Sequence, residues 1–227
     1  MIPALRHDVA LGCRILAAED QGDFVWGHVS ARDPDGRGIW MKAAGYGFDE
    51  ITSDHVILVS WDGEVLEGEG RRHLEYPIHT ELMRVRPDVQ SVVHTHAPWS
   101  VAFAATAEPL RPISHEGTLF VPPDVARFTA TGDLVTTPEV GAALAGTVGE
   151  RNVALMVHHG IVSCGGDLPT AVFNAVFLER ACRNNMRTLM AGGPKTWSDD
   201  EEALAKREHV YVPQAAWDYF ARRLPDG

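Results

Sequence analysis

The sequence is poor in cysteine, has no excess of positive charge, and contains no long apolar run. Its three cysteines, Cys13, Cys164 and Cys182, form no CxxC pair and are odd in number. This argues against a disulfide framework and for reduced, buried thiols. A formal net charge of −11 argues against nucleic acid as a partner, because phosphate neutralisation needs a basic surface. No apolar stretch approaches the roughly 20 residues that cross a bilayer. Residues 1–8 show no basic region followed by an apolar one. A soluble, cytoplasmic protein without membrane association is therefore expected. No Pro/Ser/Gly-rich linker, long charge run or internal repeat divides the chain, so residues 1–227 are expected to form one domain, with a helical tail over about 195–227.

The one enrichment is histidine, with eleven copies. Two of them end the stretch Ser91-Val92-Val93-His94-Thr95-His96-Ala97-Pro98. A β-branched apolar run reads as a strand, and side chains two apart share a strand face. His94 and His96 would then stand side by side at the strand end, with Pro98 stopping the ladder. Two such imidazoles are half of a zinc-type site. The alternative is a pair of exposed strand-end histidines.

Elsewhere, apolar spacing predicts a helix over 5–19 and a strand over 24–30 that bends at Gly27. Asp33-Pro34-Asp35-Gly36 is a hairpin turn with Gly38–Met41 returning, and Ala44–Gly47 is a loop. A strand over 55–60 turns back at Val65-Leu66. A helix starts near Pro77, and short helices are expected over 98–105 and from Pro138 through Leu144. Residues 112–137 read as strands and loops, and 152–157 as a buried strand. Asp167 caps a long helix reaching about Leu189, and the tail carries an acidic helix start at 198–202 and an amphipathic segment with Trp217, Tyr219 and Phe220. This interspersed order predicts a three-layer α/β/α sandwich around a mostly antiparallel or mixed sheet.

His159 lies where the strand over 152–157 runs into Gly160, which would let the backbone turn tightly and aim the preceding side chain at a cleft. Three neutral imidazoles at strand ends, with a carboxylate nearby, fit a catalytic divalent-metal site. The carboxylate candidate is Glu75, whose ordinary alternative is a helix-start glutamate favoured by the macrodipole. Taken singly, His158 or His159 reads as a hydrogen-bonded core histidine rather than a ligand.

Together, Glu75, the helix with His79, Arg86-Pro87-Asp88-Val89, the Val92–His96 strand and His158-His159-Gly160 resemble the class II aldolase/adducin family over about residues 5–189. That family includes fuculose-phosphate aldolase and ribulose-phosphate 4-epimerase. The resemblance implies the class II aldolase-like fold and a homotetramer with active sites at subunit interfaces. It implies a divalent ion held by His94, His96 and His159, with zinc first and manganese, cobalt, magnesium or iron as the other candidates. It also implies that Glu75 approaches the metal and acts as acid and base. The epimerases carry Asp there, so Glu75 favours a carbon–carbon lyase. Adducin-like members have lost the metal ligands that this chain keeps, which favours an enzyme over an assembly module.

Departures from the family pattern bear on the substrate. Its sugar-phosphate enzymes cradle phosphate with Gly-Asn, Thr-Gly and Ser-Ser pairs, which here read Gly27-His28, Ala44-Gly45 and His73-Leu74. Losing those amide and hydroxyl donors argues against a substrate phosphate. His28, Lys42, Arg71, Arg72 and His73 lie in the same segments and could hold a carboxylate instead. The alternatives are a solvated loop for Arg71 and Arg72 and a strand-edge charge for Lys42. The substrate-binding expectation is His28, Ser30, Gly45, Arg72 and His73. A family tyrosine that donates a proton from the neighbouring subunit corresponds by spacing to His115, with Glu116 as competitor and a structural role for His115 as the alternative. Gly27-His28-Val29-Ser30-Ala31-Arg32-Asp33-Pro34 is similar to the branch that decarboxylates hydroxylated aromatic dicarboxylates. The expected function is thus a metal-dependent decarboxylase of a small acidic hydroxy-aromatic substrate, in aromatic catabolism. The alternatives are an aldolase acting on a non-phosphorylated hydroxy-ketone or keto acid, an oxygen-using iron enzyme, and a non-catalytic adducin-like module.

Overall fold

A computed structural model describes residues 1–225. Asp226 and Gly227, the end of the expected tail, lie outside the described residues. The chain opens with α1 (Ile2–Ala18), where Pro3 sits in the first turn and its missing N–H leaves no bond unmade. Strands β1 (His28–Arg32), β2 (Gly38–Lys42), β3 (Val56–Ser60) and β4 (Val65–Glu67) follow as hairpins. Then come α2 (Pro77–Val85), β5 (Ser91–Thr95), α3 (Pro98–Ala105), the one-turn α4 (His115–Thr118), β6 (Ala126–Phe128) and α5 (Pro138–Val148). The hairpin β7 (Val153–Met156) and β8 (Gly160–Gly165) leads into α6 (Leu168–Met190), α7 (Asp200–Val210) and α8 (Pro213–Ala221).

The strands form one sheet in the order β4-β3-β2-β1-β5-β8-β7-β6. All neighbours are antiparallel except β6 and β7. Period-two alternation divides the side chains between two cores. Ile39, Met41, Ile57, Val59 and Val92 face Ile78, Leu82 and Leu144 of α2 and α5. Trp40, Val56, Leu58 and Val93 face the other way, toward Leu16, Phe103, Val172 and Phe220 of α1, α3, α6 and α8. A sheet buried on both faces between helices is the expected three-layer sandwich.

Four local expectations change. β1 begins at His28 rather than near Phe24, because residues 23–26 close a tight turn in which Trp26 N donates to Asp23 O at 3.0 Å and Phe24 takes φ +52. β8 was not expected: Gly160 read as a turn, yet it opens a strand that pairs with β5 on one side and β7 on the other. His115 lies in α4, inside the segment read as strands and loops, where the Ser114 hydroxyl caps the turn. Finally, α5 continues past Leu144 to Val148.

The start of α3, which directly follows His96, is held from another layer. Glu179 of α6 is buried and accepts hydrogen bonds from Trp99 N (2.9 Å), Ser100 N (2.8 Å) and Ser100 Oγ (2.7 Å). A carboxylate at a helix N-terminus meets otherwise unpaired N–H groups and the positive dipole end. Glu179→Ala is therefore expected to destabilise the protein by about 1.5–3 kcal/mol, the range for charged hydrogen bonds. A shift in the denaturant midpoint at unchanged m-value checks this.

Candidate metal centre and cavity

Strand pairing and one hairpin gather the imidazoles. His28 on β1 is the cross-strand partner of His94 on β5, so both rings stand on one sheet face, 4.9 Å apart between centroids. His96 follows the end of β5. His159 sits in the β7–β8 turn, with its N–H on Met156 O at 3.0 Å. That turn is made by His158, at φ +64, and not by Gly160, which is the first residue of β8. Gly160 serves close approach: a Cβ there would lie 2.4 Å from Thr95 O and 3.0 Å from His96 Cδ2. Any larger residue would push β8, and His159 with it, away from β5.

Glu75, His94, His96 and His159 each offer one ligand atom, all within 4.8 Å of one another. The outer hydrogen bonds set which atoms these are. His94 Nδ1 donates to Ile161 O at 2.8 Å, and His96 Nδ1 donates to Asp23 Oδ2 at 2.8 Å. Both Nε2 atoms are therefore bare lone pairs, and they face each other at 3.2 Å. Two nitrogens bound to one tetrahedral ion at roughly 2.0–2.1 Å would stand about 3.3 Å apart. Both nitrogens of His159 are buried without a hydrogen-bond partner, although Nε2 lies 3.4 Å from Glu75 Oε1. A cation among these atoms answers both the facing lone pairs and the orphaned ring. An imidazole and carboxylate donor set suits a borderline divalent ion.

The protonation states agree with this. Burial drives the His94 imidazolium well below its ordinary pKa, with His159 and His96 adding to the effect and Glu75 opposing it. Burial alone would raise the Glu75 carboxyl, but the His159 contact, the electrostatic pull of the His94 and His159 rings and the Val135 N–H outweigh it and hold it at about 2. Neutral imidazoles and an ionised carboxylate are the forms in which these groups bind metal.

A cavity of about 610 Å³ opens on the centre. His28, Gly45, Arg72, His73, Glu75, His96 and His159 all border it, so most of the expected site is brought together, with His94 buried just behind. Gly45 turns the loop there at φ +99. Ser30 is not brought to the cavity; its hydroxyl lies beneath, 2.6 Å from His79 Nδ1. Arg72 borders the cavity but its guanidinium is engaged elsewhere. Its Nε donates to Gly63 O at 2.6 Å, another nitrogen donates to His73 O at 3.1 Å, and the group stacks 4.4 Å over the Tyr76 ring. Its neighbour Arg71 is exposed on the cavity rim, and its side chain makes no hydrogen bond or ion pair among the described residues.

Lys42 is not a strand-edge charge. It is fully buried, with Nζ donating to Val25 O at 3.0 Å and meeting His73 Nε2 at 3.3 Å. Burial pushes its ammonium down to about 8. The His73 imidazolium is pushed down to about 3, by burial first and then by Lys42 and His79. With Nε2 against Lys42, His73 is a wall of the cavity more than a free donor. His115 and Glu116 border a separate surface cavity with Trp197 and Lys206, so a single chain does not bring His115 to the metal centre.

Asp23 and His79 went unassigned in the sequence. Asp23 has no local signal, since its partner His96 lies far along the chain. His79 has one: it falls on the α2 face that buries Ile78 and Leu82, and a polar residue on an apolar face calls for a partner.

Residues 7–186 match the family described as "Class II Aldolase and Adducin N-terminal domain". A 3,4-dihydroxyphthalate decarboxylase from Arthrobacter keyseri is 31% identical, the alignment covering 96% of this chain and 93% of that protein. A 5-methylthioribulose-1-phosphate/5-deoxyribulose-1-phosphate aldolase from Rhodospirillum rubrum is 28% identical, over 93% and 94%. The structure of L-fuculose 1-phosphate aldolase from Glaciozyma antarctica PI12 superposes with a TM-score of 0.84 at 25% identity, over 97% of this chain and 88% of that one.

Proposed function

This chain belongs to the class II aldolase and adducin family and is a lyase of its decarboxylase or aldolase kind, and from that premise we propose that it is a divalent-metal-dependent decarboxylase of an ortho-hydroxylated aromatic carboxylate. The observation that carries this reading is the lining of the cavity. Where the sugar-phosphate relatives are expected to cradle phosphate, the rim here presents Arg71 beside the apolar side chains of Trp26, Leu74 and Leu134. These three are 53%, 64% and 49% exposed, a cost in water that a flat apolar ligand removes. An aromatic ring fits against them while its carboxylate reaches the guanidinium. The similarity to a dihydroxyphthalate decarboxylase supports the same reading.

A divalent ion bound by His94, His96 and His159 would supply a Lewis acid for the electron pair that departing carbon dioxide leaves on the ring. Arg71 holds a substrate carboxylate, and the Trp26 and Leu74 walls keep water from the reacting carbon. Glu75 moves the proton. Its Oε1 is anchored by Val135 N–H at 2.8 Å, which leaves Oε2 free. That oxygen takes the phenolic proton and delivers it to the carboxylate-bearing ring carbon, giving the keto tautomer. The carbon–carbon bond then breaks and carbon dioxide leaves. The electron pair of that bond restores the aromatic ring and returns to oxygen as phenolate, which is reprotonated from solvent on release. In a homotetramer with sites at subunit contacts, His115 of a second copy would be the rival proton donor.

Arg71→Ala is expected to raise KM about 10–100-fold, the loss of a charged hydrogen bond to the substrate. Arg72→Ala is expected to lower stability and leave KM nearly unchanged, because its guanidinium holds the Gly63 turn. Steady-state kinetics and thermal melts on the two variants separate these effects. The function itself is tested with carboxyl-¹³C-labelled hydroxybenzoic and dihydroxyphthalic acids. Labelled carbon dioxide is the expected product. The R. rubrum relative favours a second reading, an aldolase acting on a hydroxy-ketone. Exchange of a hydroxy-ketone α-proton with D₂O, without carbon dioxide from any aromatic acid, would establish that reading in place of the first.

A further inference from the structure

Behind His28 lies a polar chain that the reaction described above leaves unused. Ser30 Oγ is 2.6 Å from His79 Nδ1, and His79 Nε2 is 2.6 Å from His28 Nδ1. All three residues are buried to 1% exposure or less. The strand period puts His28 and Ser30 on one face of β1, and α2 lays His79 across both.

Each contact has room for one proton, so the chain has two alignments. In the first, Ser30 O–H donates to His79 Nδ1, His79 Nε2–H donates to His28 Nδ1, and His28 carries its own proton on Nε2. In the second, every donor and acceptor reverses. His28 then has a bare Nε2, and the Ser30 hydroxyl hydrogen must find another acceptor. Among the described residues the Ser30 hydroxyl has His79 as its one hydrogen-bond partner. A buried donor left unpaired costs more than a spare lone pair on an oxygen that already makes one hydrogen bond. The first alignment is therefore favoured. His28 borders the cavity, its Nδ1 is occupied, and Nε2 has no protein partner, so Nε2 is the atom that meets a ligand.

We infer that Ser30 and His79 are positioning residues that fix His28 as a neutral Nε2–H donor directed at the cavity, and so select substrates that place an anionic or carbonyl oxygen there. The specificity clause rests on the carboxylate-binding reading of the cavity; the tautomer does not. Substrates offering an N–H or an ammonium at that edge would meet a donor with a donor and be rejected. The same chain gives Ser30 and His79 a reason to be polar inside an otherwise apolar layer.

The test is ¹⁵N NMR of the imidazoles in the full-length, metal-loaded protein. His28 is expected to be protonated at Nε2 and bare at Nδ1. In Ser30→Ala the directing donor is gone, and the His28 proton is expected to move wholly or partly to Nδ1. In that variant KM for the hydroxy-aromatic acid should rise about tenfold, with kcat changing less than about threefold, as for one lost hydrogen bond. Ser30→Thr should restore both the spectrum and KM. Wild-type His28 with its proton on Nδ1 overturns the inference, and so does Ser30→Ala with an unchanged KM. If Ser30→Ala fails to fold, the wild-type spectrum decides. If no hydroxy-aromatic acid is turned over, the Kd of salicylate replaces KM. That failure counts against the decarboxylase reading, while the His28 tautomer still decides the positioning role.

Discussion

Glu75→Gln is expected to lower kcat by about 10²–10⁴-fold, the usual contribution of a positioned acid–base group, while the protein keeps its ion. Glutamine preserves the shape and can still accept the Val135 N–H through its carbonyl oxygen. It cannot take the phenolic proton or return one to carbon. The three imidazoles are kept, and the outer hydrogen bonds of His94 to Ile161 O and of His96 to Asp23 are independent of Glu75. Metal content measured beside single-turnover rates separates the two roles of this residue. An ion retained with the rate lost assigns proton transfer to Glu75. An ion lost together with the rate assigns it to ligation, and the proton donor must then be sought elsewhere, with His115 first.

The second large effect is acid unfolding. His28 and His94 are driven well below the ordinary imidazole pKa by burial first and by neighbouring imidazoles second. His73 and His79 are pushed down to about 3, again chiefly by burial. The sign follows from linkage. The unfolded chain takes up these protons below about pH 6.5 and the folded chain does not, so the stabilisation is complete above that pH and is lost as pH falls. Each group contributes up to about 1.4 kcal/mol per pH unit. Glu75, held at about 2, adds to the loss below its ordinary carboxylate range. Four imidazoles titrating together would remove a typical stability of about 5–15 kcal/mol within roughly one to three pH units. The metal-free protein is therefore expected to unfold cooperatively with a midpoint between about pH 4 and 5.5. A bound ion shifts the midpoint to lower pH, because it stabilises only the folded chain. Circular dichroism and tryptophan fluorescence against pH check this; a metal-free chain still folded at pH 3.5 contradicts it.

The metal strand was legible in the sequence because its information is local. A β-branched run, a period of two and a terminating proline place His94 and His96 on one face without reference to anything distant. His159 was singled out by its place before Gly160 and assigned to the ion by family resemblance, and β8 beside it was not read as a strand, Gly160 having been read as a turn residue when it serves close packing. Arg71 and Arg72 show the limit most plainly. They are adjacent and chemically identical, and only the carbonyls of Gly63 and His73 and the Tyr76 ring draw one of them away from the cavity. Lys42 and Ser30 likewise depend on what covers β1 and β2 from above and below. A strand pattern names a face but does not say whether another element closes it. The layered fold was readable because apolar strands and amphipathic helices are interspersed along the chain, while the side chains that line the cavity were set by turns, whose direction is tertiary.

The central claim, that this is a lyase working through an ion held by His94, His96 and His159, is tested most directly by metal removal and return. The purified protein is stripped with a chelator, dialysed, and titrated with Zn²⁺, Mn²⁺, Co²⁺ or Fe²⁺. Carbon dioxide release from a dihydroxyphthalic acid is followed alongside metal content. The account predicts that activity disappears with the ion, returns in proportion to it, and saturates at about one ion per chain. It also predicts that His159→Ala neither binds the ion nor recovers. Activity that survives complete removal of metal, or an undiminished rate in His159→Ala, would contradict it.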